Sequence, residues 1–363
     1  LIDDNEKSIL SMHYVDIMDE SEGIYKVKKN RIQYVKDKDR MFSEKSFGKG
    51  LVYNEDHIAV KHGFRWHFLD EYGVLNDEKF TRTYGFSDGI ARINNKYLYG
   101  FLDEDYNCIM APSFTKAGDF HNGVAIAGFG LKTGLITKDS VWIKKLSNKR
   151  FEKFDEAGNV LYRNGLKKGL YNPFTKKVLN ASYRVIEYDE DLGGYYVKKG
   201  SKWGLRDADG GLILPARYRS LNKVIENKIL VKKNSKYMYL SDKGKKAVPG
   251  KYSKAKSFSD GLAAVEKPRK GIGRPFRGYI DSSGTFVIEG KYSKWHDFKN
   301  GRALVKEGRF YKIIDRQGNI IYASSSKINR HFDNFFIIRN KKVYNQHGLF
   351  INEYDKVKLL NDS

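Results

Sequence analysis

The sequence predicts an all-β chain of about ten tandem modules of about 34 residues, each with three short strands. Two observations predict this fold. A turn motif that ends in Asp-x-x-Gly recurs at nearly constant spacing along the chain, and alternating apolar runs of strand length lie between its copies. No sustained 3.6-residue apolar pattern is present, so little room is left for helices.

The turn acid marks the module boundaries. Its clearest copies lie in 99–103, 203–210 and 277–284, where Gly and aromatic residues precede the acid. Successive turn positions are separated by 30 to 40 residues, which is too regular for chance. The turn acid, or the residue that replaces it, is found at Asp37, Asp70, Asp103, Thr137, Asn172, Asp207, Ser241, Asp281, Asp315 and Asn345.

The modules share one order of turns and strands. Phe-x-Asp/Asn-Gly-x-Ala comes first, in 86–91, 120–125, 258–263 and 298–303, and its Asp/Asn-Gly pair predicts a tight turn. An alternating strand follows, and then an aromatic strand leads into Asp-x-x-Gly, which is typical of a type I turn with a glycine bulge. A third strand rich in Val and Ile closes the module. The aromatics recur at fixed phase, so we expect most of them in the core.

A module of this size cannot bury its apolar face alone, so neighbouring modules are expected to stack. Propellers usually close with four to eight blades. Ten modules exceed that number, which favours a propeller-like or superhelical array. Two separate rings are the alternative. We expect one continuous array over residues 1–363, least regular at 139–168, where the turn acid is lost.

The charge is unevenly distributed. The 363 residues carry a net charge of +23, yet residues 1–100 hold 16 Lys/Arg against 17 Asp/Glu, which leaves 51 against 27 for the rest. This asymmetry indicates a basic surface for an acidic protein, nucleic acid or anionic lipid, or else a solvated lysine-rich face. No apolar stretch reaches the 18 residues of a membrane-spanning helix. The single cysteine, Cys108, excludes an internal disulfide.

The longest module supplies the candidate binding residues. Its extra residues form a Gly- and Pro-containing segment, 266–277, with five cations against one acid. Arginine can bind phosphate or carboxylate with two parallel hydrogen bonds, so the segment is a candidate contact for an anion or partner. A solvated hairpin tip is the alternative. The candidate residues are Lys267, Arg269, Lys270, Arg274 and Arg277.

Other chemistry-bearing residues are better explained by structure. His57, His62 and His67 recur every fifth residue, so on a strand they alternate faces and do not converge on a metal. The repeated aspartates occupy turn positions, which favours turn formation over paired catalytic carboxylates. No nucleophile or metalloprotease motif is present. We therefore expect no enzyme activity, no catalytic residue, no metal and no cofactor.

Several runs resemble a known bacterial repeat. The segments 258–265 (FSDGLAAV) and 278–284 (GYIDSSG), together with the tripeptide Lys202-Trp203-Gly204, are similar to the WG repeat, also called KWG. The match is strong around 103, 207, 281 and 315 and degenerate around 37, 137, 172 and 345. The resemblance covers roughly residues 20–350. It implies an all-β repeat architecture, often exported or envelope-linked, and it implies no catalytic residues.

These observations predict a non-catalytic scaffold that binds another protein within a larger complex, as an accessory subunit of a bacterial cell-envelope assembly. The alternative is a binding module for a polyanion, namely nucleic acid, anionic glycan or lipid headgroups, through a basic face. The first residue is Leu1. A removed export signal would account for it, as would a disordered N-terminus, so we expect the envelope, with the cytoplasm as the alternative.

Overall fold

The computed structural model describes residues 16–21, 24–28, 32–36, 40–41, 51–54, 57–69, 79–267, 275–290, 292–331, 335–338, 342–345 and 349–353. Within these ranges every regular element is a β-strand and none is a helix. The predicted all-β repeat fold is thus confirmed. The chain divides into two compact units, unit 1 (Leu1–Ser182) and unit 2 (Tyr183–Ser363). The single continuous array stays a prediction.

The strands form ten small antiparallel sheets among the described residues, numbered here in chain order. Each sheet is a meander of sequential strands. Sheets 1 to 5 are β1 Asp16–Ser21, β2 Ile24–Lys28, β3 Ile32–Lys36 and β4 Arg40–Met41; β5 Leu51–Asn54, β6 His57–His62 and β7 Arg65–Leu69; β8 Arg82–Ser87, β9 Ile90–Asn95, β10 Leu98–Leu102 and β11 Cys108–Phe114; β12 Lys116–Ala117, β13 Val124–Phe129, β14 Lys132–Thr137 and β15 Trp142–Ser147; and β16 Arg150–Phe154, β17 Val160–Asn164, β18 Lys167–Tyr171 and β19 Val178–Tyr183.

The second half repeats this plan. Sheets 6 to 10 are β20 Val185–Asp189, β21 Gly194–Lys199, β22 Lys202–Asp207 and β23 Leu212–Tyr218; β24 Ser220–Ile225, β25 Lys228–Lys233 and β26 Lys236–Ser241; β27 Lys254–Ala255, β28 Ala263–Lys267, β29 Phe276–Ile280 and β30 Phe286–Gly290; β31 Lys294–Trp295, β32 Arg302–Glu307, β33 Phe310–Asp315 and β34 Ile320–Ser324; and β35 Ile328–His331, β36 Phe335–Ile338, β37 Lys342–Asn345 and β38 Phe350–Glu353.

Most sheets contain a strand that the sequence pattern does not reveal. We predicted three strands per module, whereas eight of the ten described sheets have four. The additional strand is the first of each sheet, and in sheets 4, 8 and 9 it has only two residues, as in β27 and β31. A strand of two residues is too short to show an apolar alternation, which is why the pattern misses it.

Consecutive sheets from 2 to 5 in unit 1 and from 6 to 10 in unit 2 pack face to face. In β13, Val124 and Ile126 join an apolar cluster with sheet 5, whereas Ala125 and Ala127 join a cluster with sheet 3. The two-residue period of a strand sends alternate side chains to opposite faces, so the middle strands are buried on both sides. Equivalent clusters lie between sheets 2 and 3 in unit 1 and between sheets 6 and 7, 7 and 8, 8 and 9, and 9 and 10 in unit 2.

The first turn of the module is a two-residue hairpin turn that also links neighbouring modules. Asp260 (φ 53°) and Gly261 (φ 76°) are both left-handed, as a type I′ turn requires. The Asp260 carboxylate reaches beyond its own turn and accepts the Gly301 N–H of the next module at 2.7 Å. Asp88 accepts the Gly123 N–H in the same way. The acid therefore joins sheets as well as shaping a turn.

The irregular region 139–168 has a different first turn. Between β16 and β17 the two-residue turn is replaced by a longer one, in which the Gly158 N–H donates to the Asp155 carbonyl at 3.0 Å. Because the turn is longer, Asp155 and Gly158 are separated by two residues and do not form the Asp-Gly pair found in other modules. Sheet 5, which contains this turn, is nevertheless an ordinary four-stranded meander.

Gly204 follows Trp203, and Gly100 follows Tyr99 at the equivalent position of sheet 3. This glycine permits a close approach of the third and fourth strands. A Cβ on Gly100 would lie 2.6 Å from the Met110 carbonyl oxygen, and a Cβ on Gly204 would lie 2.6 Å from the Leu214 carbonyl oxygen. In both sheets the register between the third and fourth strands shifts at this point. Backbone of the bulged fourth strand thus occupies the space that a side chain would need.

Candidate functional site

The repeated turn aspartates are engaged by the backbone. Asp281 accepts the N–H groups of Ser283 at 2.8 Å and Thr285 at 3.1 Å, and the hydroxyl of Ser283 donates to the same oxygen at 2.6 Å. Hydrogen bonds of this kind, that of the Ser283 side chain foremost, hold the pKa of Asp281 below its ordinary value. The carboxylate is therefore an anionic turn cap rather than a proton donor.

Asp315 repeats this arrangement in the next sheet. Its Oδ1 accepts the N–H of Gln317 at 3.0 Å and that of Asn319 at 2.8 Å. Slight burial acts to raise the pKa of Asp315, but the hydrogen bonds from Asn319, Gln317 and Gly318 outweigh it and the pKa is lowered. The expectation that these acids build turns agrees with this geometry.

The three spaced histidines are separated by the fold. His57 and His62 are the two ends of β6, and His67 lies buried in β7. The His57 ring stacks on Phe86 with 3.8 Å between centroids, and its Nδ1 lies 3.0 Å from the Tyr106 hydroxyl. Among the described residues, no three His, Cys, Asp or Glu side chains come together as metal ligands would.

Three residues of the predicted basic loop, Arg269, Lys270 and Arg274, lie outside the described residues, and the structure shows the other two. The Lys267 ammonium lies 5.0 Å from the Phe286 ring centroid, over an aromatic face. The contact with an anion or partner stays a prediction for all five residues.

Arg277 is held within the fold. Its Nε donates to Glu266 Oε2 at 2.7 Å, and its Nη1 donates to the carbonyls of Tyr292 at 2.9 Å and Ser293 at 3.1 Å. Its guanidinium lies 4.8 Å from the Trp295 ring centroid. These four contacts fix Arg277 between sheets 8 and 9, where its guanidinium packs against the Trp295 ring.

Glu266 is the carboxylate that Arg277 binds. It is 5% exposed, yet Arg277, Ser253 and Lys254 all contact it, the last with Nζ 3.4 Å from Oε2. Burial acts to raise the pKa of Glu266, but the hydrogen bond from Arg277 and the other partners outweigh it and lower the pKa. The buried charge is therefore ionised and paired.

An open groove lies beside these residues, formed by the first strands of sheets 8 and 9. It encloses about 450 Å³, and we name it the Trp295 groove. Three lysines and three aromatic rings contribute to it, a combination suited to an anion with an apolar body. The lining residues are Tyr237, Lys254, Ala255, Lys256, Ser293, Lys294, Trp295 and His296.

The electrostatics of the Trp295 groove favour an anion. Lys254 and Lys256 each have one carboxylate neighbour, Glu266 at 3.4 Å and Asp297 at 3.5 Å, and both lysine side chains are more than a third exposed. Burial first, and then the charge of Lys256, lower the pKa of His296, so its imidazole is neutral at pH 7. The lysines make the groove cationic, whereas His296 contributes an uncharged ring to its wall.

Sequence reasoning missed this groove. The signal is a Ser-Lys pair at the same phase in two successive modules, Ser253-Lys254 and Ser293-Lys294. The pairs are 40 residues apart, and only the packing of sheet 8 on sheet 9 brings them together.

A second groove between consecutive sheets has a different charge from the Trp295 groove. The groove between sheets 6 and 7 encloses about 390 Å³ and contains Glu187 and Asp189 beside Trp203. Its lysine, Lys223, pairs with Asp189 at 3.1 Å. The same kind of groove is thus mixed in charge here and basic around Trp295.

One known repeat family matches parts of the chain. The family described as "WG containing repeat" matches residues 1–31, 203–237, 237–267 and 278–309. The last three matches include much of sheets 6 to 9, so the matched repeats and the observed sheets share their period. A search of curated proteins finds no match. In the described part of the chain, no helix has the length and apolar character needed to cross a membrane.

The solved structures that match the chain are distant in sequence. A eukaryotic initiation factor is 11% identical, with 90% of this chain and 94% of that chain covered and a TM-score of 0.35. PorZ, a bacterial surface component of the type IX secretion system of Porphyromonas gingivalis, is 11% identical, with 96% and 60% covered and a TM-score of 0.28. The extracellular domain of BT3049 from B. thetaiotaomicron is 11% identical, with 95% and 65% covered and a TM-score of 0.29.

Proposed function

Because the chain carries WG-containing repeats, we propose that it is a non-catalytic scaffold that binds an acidic segment of another protein, as an accessory subunit of a bacterial cell-envelope assembly. The observation that carries this proposal is the Trp295 groove, in which Lys254, Lys256 and Lys294 surround a tryptophan. Lysine ammonium groups attract carboxylates, and the indole supplies apolar contact area, as recognition of an acidic peptide requires.

The groove also has the rigidity that recognition needs. The Arg277 guanidinium packs against the Trp295 ring. It also donates hydrogen bonds to Glu266 of sheet 8 and to the Tyr292 and Ser293 carbonyls that precede sheet 9. A preorganised surface loses little conformational entropy when it binds. The turn carboxylates Asp281 and Asp315 favour a structural role, because hydrogen bonds from Ser283 and Asn319 and from turn N–H groups lower their pKa values, and a carboxyl with a lowered pKa is a poor proton donor.

The test is affinity capture with mass spectrometry on wild type and on two triple variants. Lys254→Ser, Lys256→Ser and Lys294→Ser remove the groove cations, whereas Lys243→Ser, Lys245→Ser and Lys246→Ser remove three exposed lysines from the turn that follows β26. We expect the groove variant to lose the partner and the turn variant to keep it. Equal capture by both variants, or turnover of a substrate by the wild type, would overturn the proposal.

The basic loop is tested in the same experiment. A variant with Lys267, Arg269, Lys270 and Arg274 changed to Ser removes four of the five predicted contact residues and leaves Arg277, which holds the groove. Loss of the partner in this variant alone would assign binding to the loop instead of the groove. Retention of the partner would remove the loop from the contact.

A polyanion is the second candidate ligand, and the same three lysines favour it. If they neutralise three phosphates of a single strand, the logarithm of the binding constant should fall against the logarithm of salt with a slope of about −2. An acidic peptide carries no condensed counterion layer, so its binding to the same lysines should show a smaller slope. Titration of a fluorescent single-stranded oligonucleotide at several salt concentrations separates the two, and absence of binding excludes the nucleic-acid form.

The envelope location is part of the proposal and follows from the resemblance to envelope-linked repeat proteins. Fractionation of cells that express the native gene, followed by immunodetection, tests it directly. Recovery of the protein in the exported or membrane-associated fraction supports the location, whereas recovery in the cytoplasm alone contradicts it.

A further inference from the structure

Unit 1 displays a second kind of surface, at the tips of its second turns. The second turn joins the second and third strands of a sheet. In sheets 2 to 5 this turn ends in a large apolar side chain that is almost fully exposed: Phe64 (93%), Tyr97 (87%), Leu131 (82%) and Leu166 (90%). We name these four residues the tip row. Burial of such side chains normally stabilises a protein, so four at one module position require an explanation.

The backbone holds each tip outwards. The residue before each apolar tip has a left-handed φ: Gly63 (61°), Lys96 (61°), Gly130 (55°) and Gly165 (59°). This shared conformation places the four tips in equivalent turns. The exposure is thus a property of the module position and not of one distorted loop.

Hydrogen bonds from the sheet beginnings fix the turns. The Thr81 hydroxyl accepts the Lys96 N–H at 2.8 Å and Arg65 Nη1 at 3.1 Å, so one side chain joins the turns of Phe64 and Tyr97. The Thr115 hydroxyl accepts the Gly130 N–H at 2.6 Å beside Leu131.

The tips share one edge of their sheets. In a meander the first and third turns lie at one edge and the second turn lies at the opposite edge. Because sheets 2 to 5 pack face to face in order, their second turns follow one another at spacings of about 10 Å. The tip row is therefore a line of separate protrusions and not a groove.

The sequence on either side of each tip is basic. No acidic residue occurs within three positions of any tip, whereas seven basic residues do: Lys61, Arg65, Lys96, Lys132, Arg163, Lys167 and Lys168. Most described carboxylates of the same sheets lie on first and third turns, including Asp88, Asp103 and Asp155, whereas Glu152 of β16 pairs with Arg163 at 2.6 Å. These sheets thus carry acids at one edge and apolar tips among cations at the other.

Unit 2 shows that the module does not need these tips. At the equivalent turns, sheets 6, 7 and 9 carry Ser201, Ser235 and Arg309. The fold is maintained there without an apolar tip. The four tips of unit 1 are accordingly free to serve a contact outside the chain.

We propose that unit 1 docks through the tip row onto an anionic lipid surface. Apolar and aromatic side chains enter the headgroup region, and the neighbouring lysines and arginines contact lipid phosphates. A line of convex tips fits a fluid surface that closes around each of them, whereas a folded partner would need a matching pocket for every tip. This inference goes beyond the scaffold function and does not depend on the Trp295 groove.

The test is sedimentation with vesicles of phosphatidylcholine that contain about 30% phosphatidylglycerol. The variant combines Phe64→Ser, Tyr97→Ser, Leu131→Ser and Leu166→Ser, all at exposed positions, so its melting temperature should equal that of the wild type. The control combines Val141→Ser, Phe174→Ser and Val178→Ser, which remove exposed apolar side chains at the third-turn edge of the same unit.

We expect the tip variant to lower the vesicle partition coefficient at least tenfold and the control to change it less than twofold. Wild-type binding should also weaken in vesicles of phosphatidylcholine alone. Equal sedimentation of the tip variant and wild type, or no sedimentation of wild type, would overturn the proposal. It is equally overturned if the tips are needed to capture a protein and not to bind vesicles. The Trp295 groove variant should bind vesicles normally, so the two proposals can fail separately.

Discussion

Replacement of the repeat glycine is the most demanding test of the packing described here. In Gly100→Ala the new Cβ would lie 2.6 Å from the Met110 carbonyl oxygen, 2.8 Å from the Pro112 nitrogen and 3.0 Å from the Ala111 carbonyl carbon. All three atoms belong to the backbone of β11, so no side chain can rotate away. The strands must separate, and overpacking of this kind costs about 1–3 kcal/mol.

Gly118→Ala is the matched control. Gly118 lies in the same unit, its φ is not left-handed, and the nearest atom to its added Cβ is Ile126 Cβ at 3.8 Å, an ordinary contact. Urea unfolding followed by tryptophan fluorescence and circular dichroism gives the free energy for each variant. We expect Gly118→Ala to remain within about 0.5 kcal/mol of wild type. If Gly100→Ala is as stable as Gly118→Ala, the close approach of the strands is not the reason for the glycine.

Three further predictions concern links between sheets. Tyr239→Phe removes the bond from the tyrosine hydroxyl to the Lys256 carbonyl, at 2.6 Å, and should lower the free energy of unfolding by about 1–2 kcal/mol in urea titrations. Asp260→Ala removes the acceptor of the Gly301 N–H and should lower the melting temperature, whereas Asp260→Asn, which keeps an oxygen and tolerates a left-handed φ, should lower it less. Burial raises the pKa of Tyr196 to about 12, so the unfolded chain releases this proton near pH 10 before the native protein does. Stability should therefore fall between pH 10 and 12, and less steeply in Tyr196→Phe, as measured by alkaline denaturation.

The period of the fold could be predicted because turn geometry restricts residue choice. Asp260-Gly261 occurs where two left-handed residues are needed, and Asp281 occurs where a side chain must accept turn N–H groups. Such positions tolerate few substitutions, so they remain visible in divergent modules. The first strand has no comparable constraint, and a pair such as Lys254-Ala255 leaves no trace in the sequence.

The surfaces were harder to predict because they depend on contacts between distant residues. The basic loop was visible since its charges are contiguous, yet one of them, Arg277, turns inward to Glu266. The Trp295 groove needs residues from modules 40 positions apart. The tip row was hidden for another reason. Phe64 and Tyr97 recur at module spacing, as core aromatics do, and sequence alone does not separate a repeated core position from a repeated exposed one.

We infer that the recurring turn carboxylates build the fold and are not catalytic groups. The most direct measurement is the melting temperature and partner capture of Asp207→Ala, Asp281→Ala and Asp315→Ala, each of which deprives a turn of its N–H acceptor. We expect every substitution to lower the melting temperature, while the folded variants still capture the same partner as wild type. Unchanged melting temperatures together with loss of binding or activity would contradict it.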